Sequence, residues 1–281
     1  MVLSTGAAHV AALPMYDWPE VRAATDALWT ALAAALAARG VAAPRALERR
    51  REAPEIWRDP ALILSQTCGW PYATGLRENL RIVATPVYAV EGCEGPCYSS
   101  ALIVRRDDCA TSAADLAGRR PAVNSADSLS GCVALEEALR TAGVSSDLSQ
   151  ALKTGAHRAS LRAVASGEAD VAAIDAIAWR LAQDFEADAV AELKVLAFTP
   201  LRPALPFVTA RSRNEEEAAA IRAALAQVLS GPESASIRAA LHLAGIESLP
   251  EDAYAAESLR RGLPRPQTPR SQTPRPQTPR H

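Results

Sequence analysis

The 281-residue sequence is most informative at first through what it lacks. It has no apolar run of the ~18 residues that a membrane-spanning helix needs, so membrane insertion is not expected. It has no excess of positive charge. Thirty Lys and Arg stand against 32 Asp and Glu, for a net charge of −2, and no basic surface invites nucleic acid. It contains no Gly-x-Gly-x-x-Gly, no Walker loop, no His-Glu-x-x-His and no Gly-x-Ser-x-Gly. The motif-borne routes to dinucleotide, nucleotide, zinc-hydrolase and serine-esterase chemistry are therefore closed, and no cofactor or metal is called for.

Cysteine is scarce as well. Cys68, Cys93, Cys97, Cys109 and Cys132 are odd in number and scattered, which is no disulfide framework and suits a reducing compartment. Cys93 and Cys97, separated only by "EGP", are the pair that could bridge in an exported chain. As zinc ligands they lack a second pair. The opening "MVLSTGAAHVAALPMYDWPE" has no basic n-region and only a weak apolar stretch, unlike a secretory signal. The expectation is a cytoplasmic protein as written, or a periplasmic one if the true start lies upstream.

What is present is an apolar chain, 49% hydrophobic, sufficient for one large domain or two lobes with their own cores. "VAALPMYD" reads as a first strand. Asp17 then reads as an N-cap before Pro19 and Glu20. Val21, Leu28, Leu32 and Leu36 keep helical spacing, and Gly40 can close that helix in left-handed geometry. "PALILSQ", "LRIVATPVY" and "YSSALIVRR" read as strands, the last two flanking the Gly-containing turn "VEGCEGPC". "RPAVN", "ALKT" and "DVAAI" are strands followed by polar turns and helices. "ELKVLAFTP" and "ALPFVTA" return as strands, and helices are expected over Asn214–Leu229 and Glu233–Ala244. The alternation predicts an α/β fold with mainly parallel sheets. From Arg261 the repeated "RPQTP RSQTP RPQTP" has no apolar face to bury, so residues 261–281 are expected to form a disordered or PPII-like tail.

Several strand ends carry polar residues beside a helix start, where backbone N–H groups lack intrahelical partners and favour an anion. In "NSADSLSG" these are Ser128, Ser130 and Gly131. One serine suffices for a cap, and the others are free to face a ligand. In "KTGAHRAS", Thr154 and Gly155 precede His157, whose ring can donate to an anion. Asp175 ends "DVAAI" and is either an N-cap or a carboxylate at the carboxyl end of a strand, where α/β proteins bind ligands. "SQTCGWPY" supplies Gln66, Thr67 and Cys68. Tyr16 and Tyr98 can wall a pocket and donate one hydrogen bond each.

Taken together, "SQTCGWPY", "TPVYAVEGCEGPCYSSALIVR", "DLAGRRPAVNSADSLSG", "TGAHRASLRAVASGEADVAAID" and "LPFVT" resemble the phosphate/phosphonate-binding protein family. These are the substrate-binding components of phosphonate-type ABC transporters and their stand-alone relatives. The resemblance covers Leu13 to Ala210 and the closing helices to Ser258. It implies a type II periplasmic-binding-protein fold, with two α/β lobes joined by a two-strand hinge that close on the ligand. On that reading residues 1–104 and 199–260 form one lobe and 105–198 the other. The family's Ser-rich helix start and Gly-x-His turn correspond to Ser128, Ser130 and Gly131, and to Thr154, Gly155 and His157. Its tyrosine near the crossover corresponds to Tyr98 and its acidic residue to Asp175. The chain departs from the family's Ser-Thr-Ser run by carrying Ser128-Leu129-Ser130.

The resemblance implies a monomeric binding protein without catalysis. Its partners would be a small oxyanion (phosphate, phosphonate or a phosphorylated metabolite) and an ABC permease. Tyr16, Gln66 and Thr67 would complete the pocket. Two alternatives stay open: a soluble ligand sensor, and an enzyme on the same fold, of the pyrimidine-synthesising or chorismate-pathway type by fold analogy, with Cys68 and His157 as the suspect pair.

Overall fold

Two five-stranded sheets divide the chain between them. The computed structural model describes residues 9–145 and 147–260, with side chains described as far as 255. The repeat expected to be without fold, 261–281, lies outside the described residues. In chain order the strands are β1 (Val10–Ala12), β2 (Leu62–Gln66), β3 (Leu80–Tyr88), β4 (Cys93–Glu94), β5 (Cys97–Tyr98), β6 (Ser100–Arg105), β7 (Pro121–Val123), β8 (Leu152–Lys153), β9 (Val171–Asp175), β10 (Leu193–Phe198), β11 (Arg202–Pro203), β12 (Phe207–Ala210) and β13 (Leu243–Glu247). The helices are α1 (Arg22–Ala37), α2 (Ala53–Ile56), α3 (Gly69–Pro71), α4 (Ala134–Thr141), α5 (His157–Ala165), α6 (Ala176–Phe185), α7 (Ala187–Ala191), α8 (Glu215–Ser230), α9 (Ala235–Leu241) and α10 (Glu251–Arg260).

The first sheet has the order β1-β2-β12-β3-β13 and the second β10-β6-β9-β7-β8, while β11-β5-β4 form a small third sheet. The α/β class is as expected, but the sheets are mixed rather than mainly parallel. β1 with β2, and β7 with both β8 and β9, run parallel, whereas β6 is antiparallel to both its neighbours. The reason is topological. β6 enters the second sheet directly from the first, without a crossover helix, and it alone runs against β10, β9, β7 and β8.

Local chemistry explains most elements. α1 buries Thr25, Leu28, Trp29, Leu32 and Leu36 along one stripe. Gly40 closes it with φ +74°, and Val41 N–H reaches back to the Leu36 carbonyl at 3.0 Å. Asp17, expected as the N-cap, makes no such bond. It accepts from Arg49 at 2.5 and 3.1 Å instead, a guanidinium brought in from a distant segment. α8 starts at Asn214 through a reciprocal capping box with Glu217. The expected helix to Ala244 stops at Leu241, because His242 takes φ +52°. Leu243–Glu247 then pairs antiparallel with the edge of β3.

At the passage between the sheets, Thr199 N–H donates to the Ser100 carbonyl and Ser100 N–H to Thr199 Oγ1, both at 2.9 Å. The two connecting segments thus lie side by side. Ser100–Arg105 belongs entirely to the second sheet. Each sheet has its own buried core, with one exchange. Ile177 at the start of α6 is buried among first-sheet residues such as Leu28, Phe207 and Leu225. Trp18 of the first segment packs on the second-sheet core.

Candidate functional site

The Ser-rich turn divides its labour. Ser128 has extended backbone angles, and its Oγ accepts from Gly131 N–H at 3.0 Å, so it is the cap. The chain then winds widely over Leu129–Val133 into α4. Ser130 is buried, and its Oγ shares a 2.8 Å hydrogen bond with His157 Nε2. A Cβ on Gly131 would stand 1.9 Å from Asn124 Oδ1 and 3.2 Å from His157 Cε1. Only glycine fits so close an approach.

His157 opens α5 after the turn at Gly155, whose φ is +85°. Gly155 N–H donates to the Asn124 carbonyl at 2.9 Å, which ties this turn to the Ser-rich one. Thr154 Oγ1 is turned inward to Ser160 at 2.6 Å and to the Val123 and Ala156 carbonyls. Burial pushes the His157 ring down to about 4, against a smaller opposing pull from the Ala173 backbone, so the ring is neutral near pH 7. Its Nδ1, with the Ala173 backbone as a polar neighbour, is shielded from solvent and makes no hydrogen bond of good geometry. Asn124 Oδ1 and the Tyr98 hydroxyl share that condition, although Tyr98 approaches Ser130 closely enough to feel it. Buried polar atoms without partners are rare in folded proteins.

Asp175 ends β9 and caps α6, accepting from Ile177 N–H at 2.9 Å and Ala178 N–H at 3.3 Å. Its other oxygen accepts from Tyr16 at 2.9 Å. Burial nevertheless raises the carboxyl to about 6, against those three bonds. Tyr16 meets Tyr88 edge to face, centroids 5.6 Å apart. Gln66 spends its amide on Tyr88 Oη at 3.1 Å and the Leu205 carbonyl at 2.9 Å. Thr67 is buried and donates its N–H to Pro206. Gln66 and Thr67 therefore brace the wall through Tyr88 and the backbone.

Cys68 lies where the two halves meet. Burial raises its thiol to about 11, opposed by the backbone amides of Leu129 and Trp70. It packs with Trp70, Leu129 and Val133. "SQTCGWPY" and "NSADSLSG" are thus in contact. His157 is not Cys68's base, for its Nε2 is on Ser130 and its Nδ1 has no partner. A thiol held near 11 is also a poor nucleophile at neutral pH.

No cationic side chain is among the groups acting on His157, Asp175 or Cys68. Arg202, the cross-strand partner of Tyr98, is buried against Glu137. Among the described residues no cluster suits a metal ion, and no helix is long and apolar enough to cross a membrane.

The family model described as ABC transporter, phosphonate, periplasmic substrate-binding protein matches residues 10–254. The chain belongs to this family. Solved structures of the two-lobed periplasmic-binding-protein fold superpose on this chain. XAC2383 from Xanthomonas citri, bound to chloride, gives a TM-score of 0.69 at 14% identity, covering 90% of this chain and 98% of its own. PhnD1 from Prochlorococcus marinus, in complex with methylphosphonate, gives 0.68 at 16%, covering 90% and 96%. The binding component of an ABC phosphonate transporter from Pseudomonas aeruginosa gives 0.69 at 16%, covering 88% and 83%. At these identities the likeness establishes the fold. No protein of curated function matches the chain.

Two residues of the candidate site escape a reading of the sequence. Asn124 looks like an ordinary strand end, yet its side chain sits over Gly131. Tyr88 looks like any strand aromatic, yet it links Gln66 to Tyr16. The signal for Asn124 was its place immediately before the serines; for Tyr88 there was none.

Proposed function

We propose that the protein is a solute-binding component that closes on a small oxyanion, such as phosphate, a phosphonate or a phosphorylated metabolite, and hands it to an ABC permease. The observation that carries this reading is the gathering of three buried, unpartnered polar atoms around Ser130 and Gly131: Tyr98 Oη, Asn124 Oδ1 and His157 Nδ1. A ligand bearing oxygens of both donor and acceptor character would satisfy them, with Ser130 beside it. The similar proteins agree in ligand charge, since PhnD1 is described with methylphosphonate and XAC2383 with chloride and with ATP. We place the lobe boundaries before Ser100 and after Thr199, where the connecting segments pair.

The enzyme alternative has less support. Ser130 and His157 stand at the distance of a nucleophile and its base, but no carboxylate orients the ring from Nδ1. A sensor role uses the same site and differs only in the partner. Calorimetry with phosphate, methylphosphonate and a phosphorylated metabolite tests the reading. Ser130→Ala should weaken binding roughly ten- to a hundredfold, the effect of losing one charge-assisted hydrogen bond. Ser130→Asp should weaken it further. A wild type that binds none of the three would refute the oxyanion site.

A further inference from the structure

The groups acting on His157, Asp175 and Cys68 include no cationic side chain, so a bound dianion would meet neutral donors there. We propose that His157 takes up a proton when a phosphoryl dianion binds, so that the imidazolium formed in the complex supplies the charge that the free protein withholds. The inference rests on the oxyanion reading above and adds a proton to its stoichiometry.

The geometry singles out this ring. His157 Nε2 bonds Ser130 Oγ at 2.8 Å, its Cε1 edge lies against Gly131, and Nδ1 is buried without a partner. In the neutral ring one nitrogen is an acceptor. Where Nε2 is that acceptor, Ser130 spends its proton on the ring and has only lone pairs to offer a ligand. Protonation makes both nitrogens donors. Nε2–H then donates to Ser130 Oγ, and the serine proton is released to point at the anion. One proton, drawn from solvent, therefore adds a unit charge and turns Ser130 toward the ligand. An anion in contact favours the charged ring, as burial alone favours the neutral one.

The charged groups on the surrounding elements are otherwise engaged. Asp175, at the end of β9, is held by Tyr16 and the start of α6. Asp170, just before β9, is held by Arg120 and approached by Arg105 of β6. Arg158 and Arg162, on α5 itself, bond Glu186, and Arg158 also bonds Glu20. Arg180 and Asp184 pair along α6, Asp188 of α7 and Lys153 of β8 are exposed, and Glu137 of α4 holds Arg202. None of them acts on the His157 ring, whose state is set by burial and the Ala173 backbone.

The test is calorimetry with methylphosphonate at a pH of about 8.5, above the second ionisation of a phosphoryl group, in two buffers of different ionisation enthalpy. The buffer dependence of the heat gives the protons bound. Measurable proton uptake is expected for the wild type, and close to none for His157→Asn. Should His157→Asn bind too weakly to titrate, the His157 Cε1–H resonance of the wild type gives the same answer by moving to its imidazolium position on adding methylphosphonate. Uptake that survives in His157→Asn places the proton on the ligand or on another group and overturns the proposal. Measurable binding without uptake overturns it and leaves the oxyanion site standing. Absence of binding removes the site and this inference together.

Discussion

Tyr16 Oη donates to Asp175 Oδ2 at 2.9 Å across 159 residues of sequence, joining the loop after β1 in the first sheet to the end of β9 in the second. The same carboxylate holds the first turn of α6. One buried acid thus fixes a helix start and a contact between the sheets, and it does so with no cation beside it. His157, at a strand end two places along from β9 in the same sheet, is held in its neutral form by burial. The two groups are perturbed in opposite senses, and the consequence is measurable.

Asp175 titrates near 6 in the folded protein against 3.8 as an ordinary aspartate. The folded state binds its proton more tightly, so stability falls as pH rises from about 4 to 6. His157 titrates near 4 against 6.5. There the unfolded state binds the proton more tightly, so stability is lost as pH falls from 6.5 to 4. Each effect amounts to roughly 3 kcal/mol at 1.36 kcal/mol per pK unit, and in the wild type they cancel. Asp170, held near 2 by Arg120, titrates below this window. Urea melts from pH 4 to 7 should show Asp175→Asn gaining stability with rising pH and His157→Asn losing it. Parallel profiles for the two variants would contradict the burial of one or both.

The register of β4 against β5 decides the cysteine pair. Cys93 opposes Tyr98 and Glu94 opposes Cys97. Opposed residues share a face and successive ones alternate, so Cys93 and Cys97 point to opposite sides of the ribbon. Neither residue is in a disulfide, and burial raises Cys93 to about 12. The bridge that the spacing allowed needs Cβ atoms ~4 Å apart, which this register denies. Mild oxidation followed by peptide mass mapping should yield no Cys93–Cys97 linkage. Finding it in folded protein would require a different register.

What was legible in the sequence was local. Ser128, Ser130, Gly131, His157 and Asp175 each stand at a strand end beside a helix start, and that pattern survives without knowledge of the fold. The structure brings them near one another through β7 and β9, which are adjacent. What was hidden depends on partners distant in sequence. Asp17 reads as a cap until Arg49 arrives. Leu243–Glu247 reads as the end of a helix until β3 offers an edge. Gln66 reads as a ligand donor until Tyr88 and Leu205 take its amide.

Asn124 and Gly131 should behave as a coupled pair. Gly131→Ala places a methyl group 1.9 Å from Asn124 Oδ1, which forces the amide away from the site. Overpacking of this kind costs about 1–3 kcal/mol, and methylphosphonate binding should fall with it. Asn124→Ala in the Gly131→Ala background removes the clash and should restore most of the stability, though not the affinity. Thermal melts of the four-protein cycle measure the coupling. Additive losses would mean the two side chains do not meet.

The last prediction concerns how the two sheets are held together. α6 belongs by connection to the second sheet, yet Ile177 is 1% exposed within the first-sheet core. Leu181 is buried one turn further along, and Asp184, a turn beyond that, bonds His242 at 2.7 Å. The spacing sets all three on one helical face. On the opposite side of the exchange, Arg158 lies 4.4 Å over the Trp18 ring and bonds Glu20. Truncating Ile177 to alanine should cost about 2–4 kcal/mol, as for other buried aliphatics. Because the side chain sits between the sheets, the ligand-free protein should also open, with a larger radius of gyration in solution scattering. Leu161→Ala removes a side chain equally buried but wholly within the second-sheet core. It should cost a similar amount and leave the radius unchanged. If both variants keep the wild-type radius, Ile177 contributes to stability alone and does not hold the sheets together.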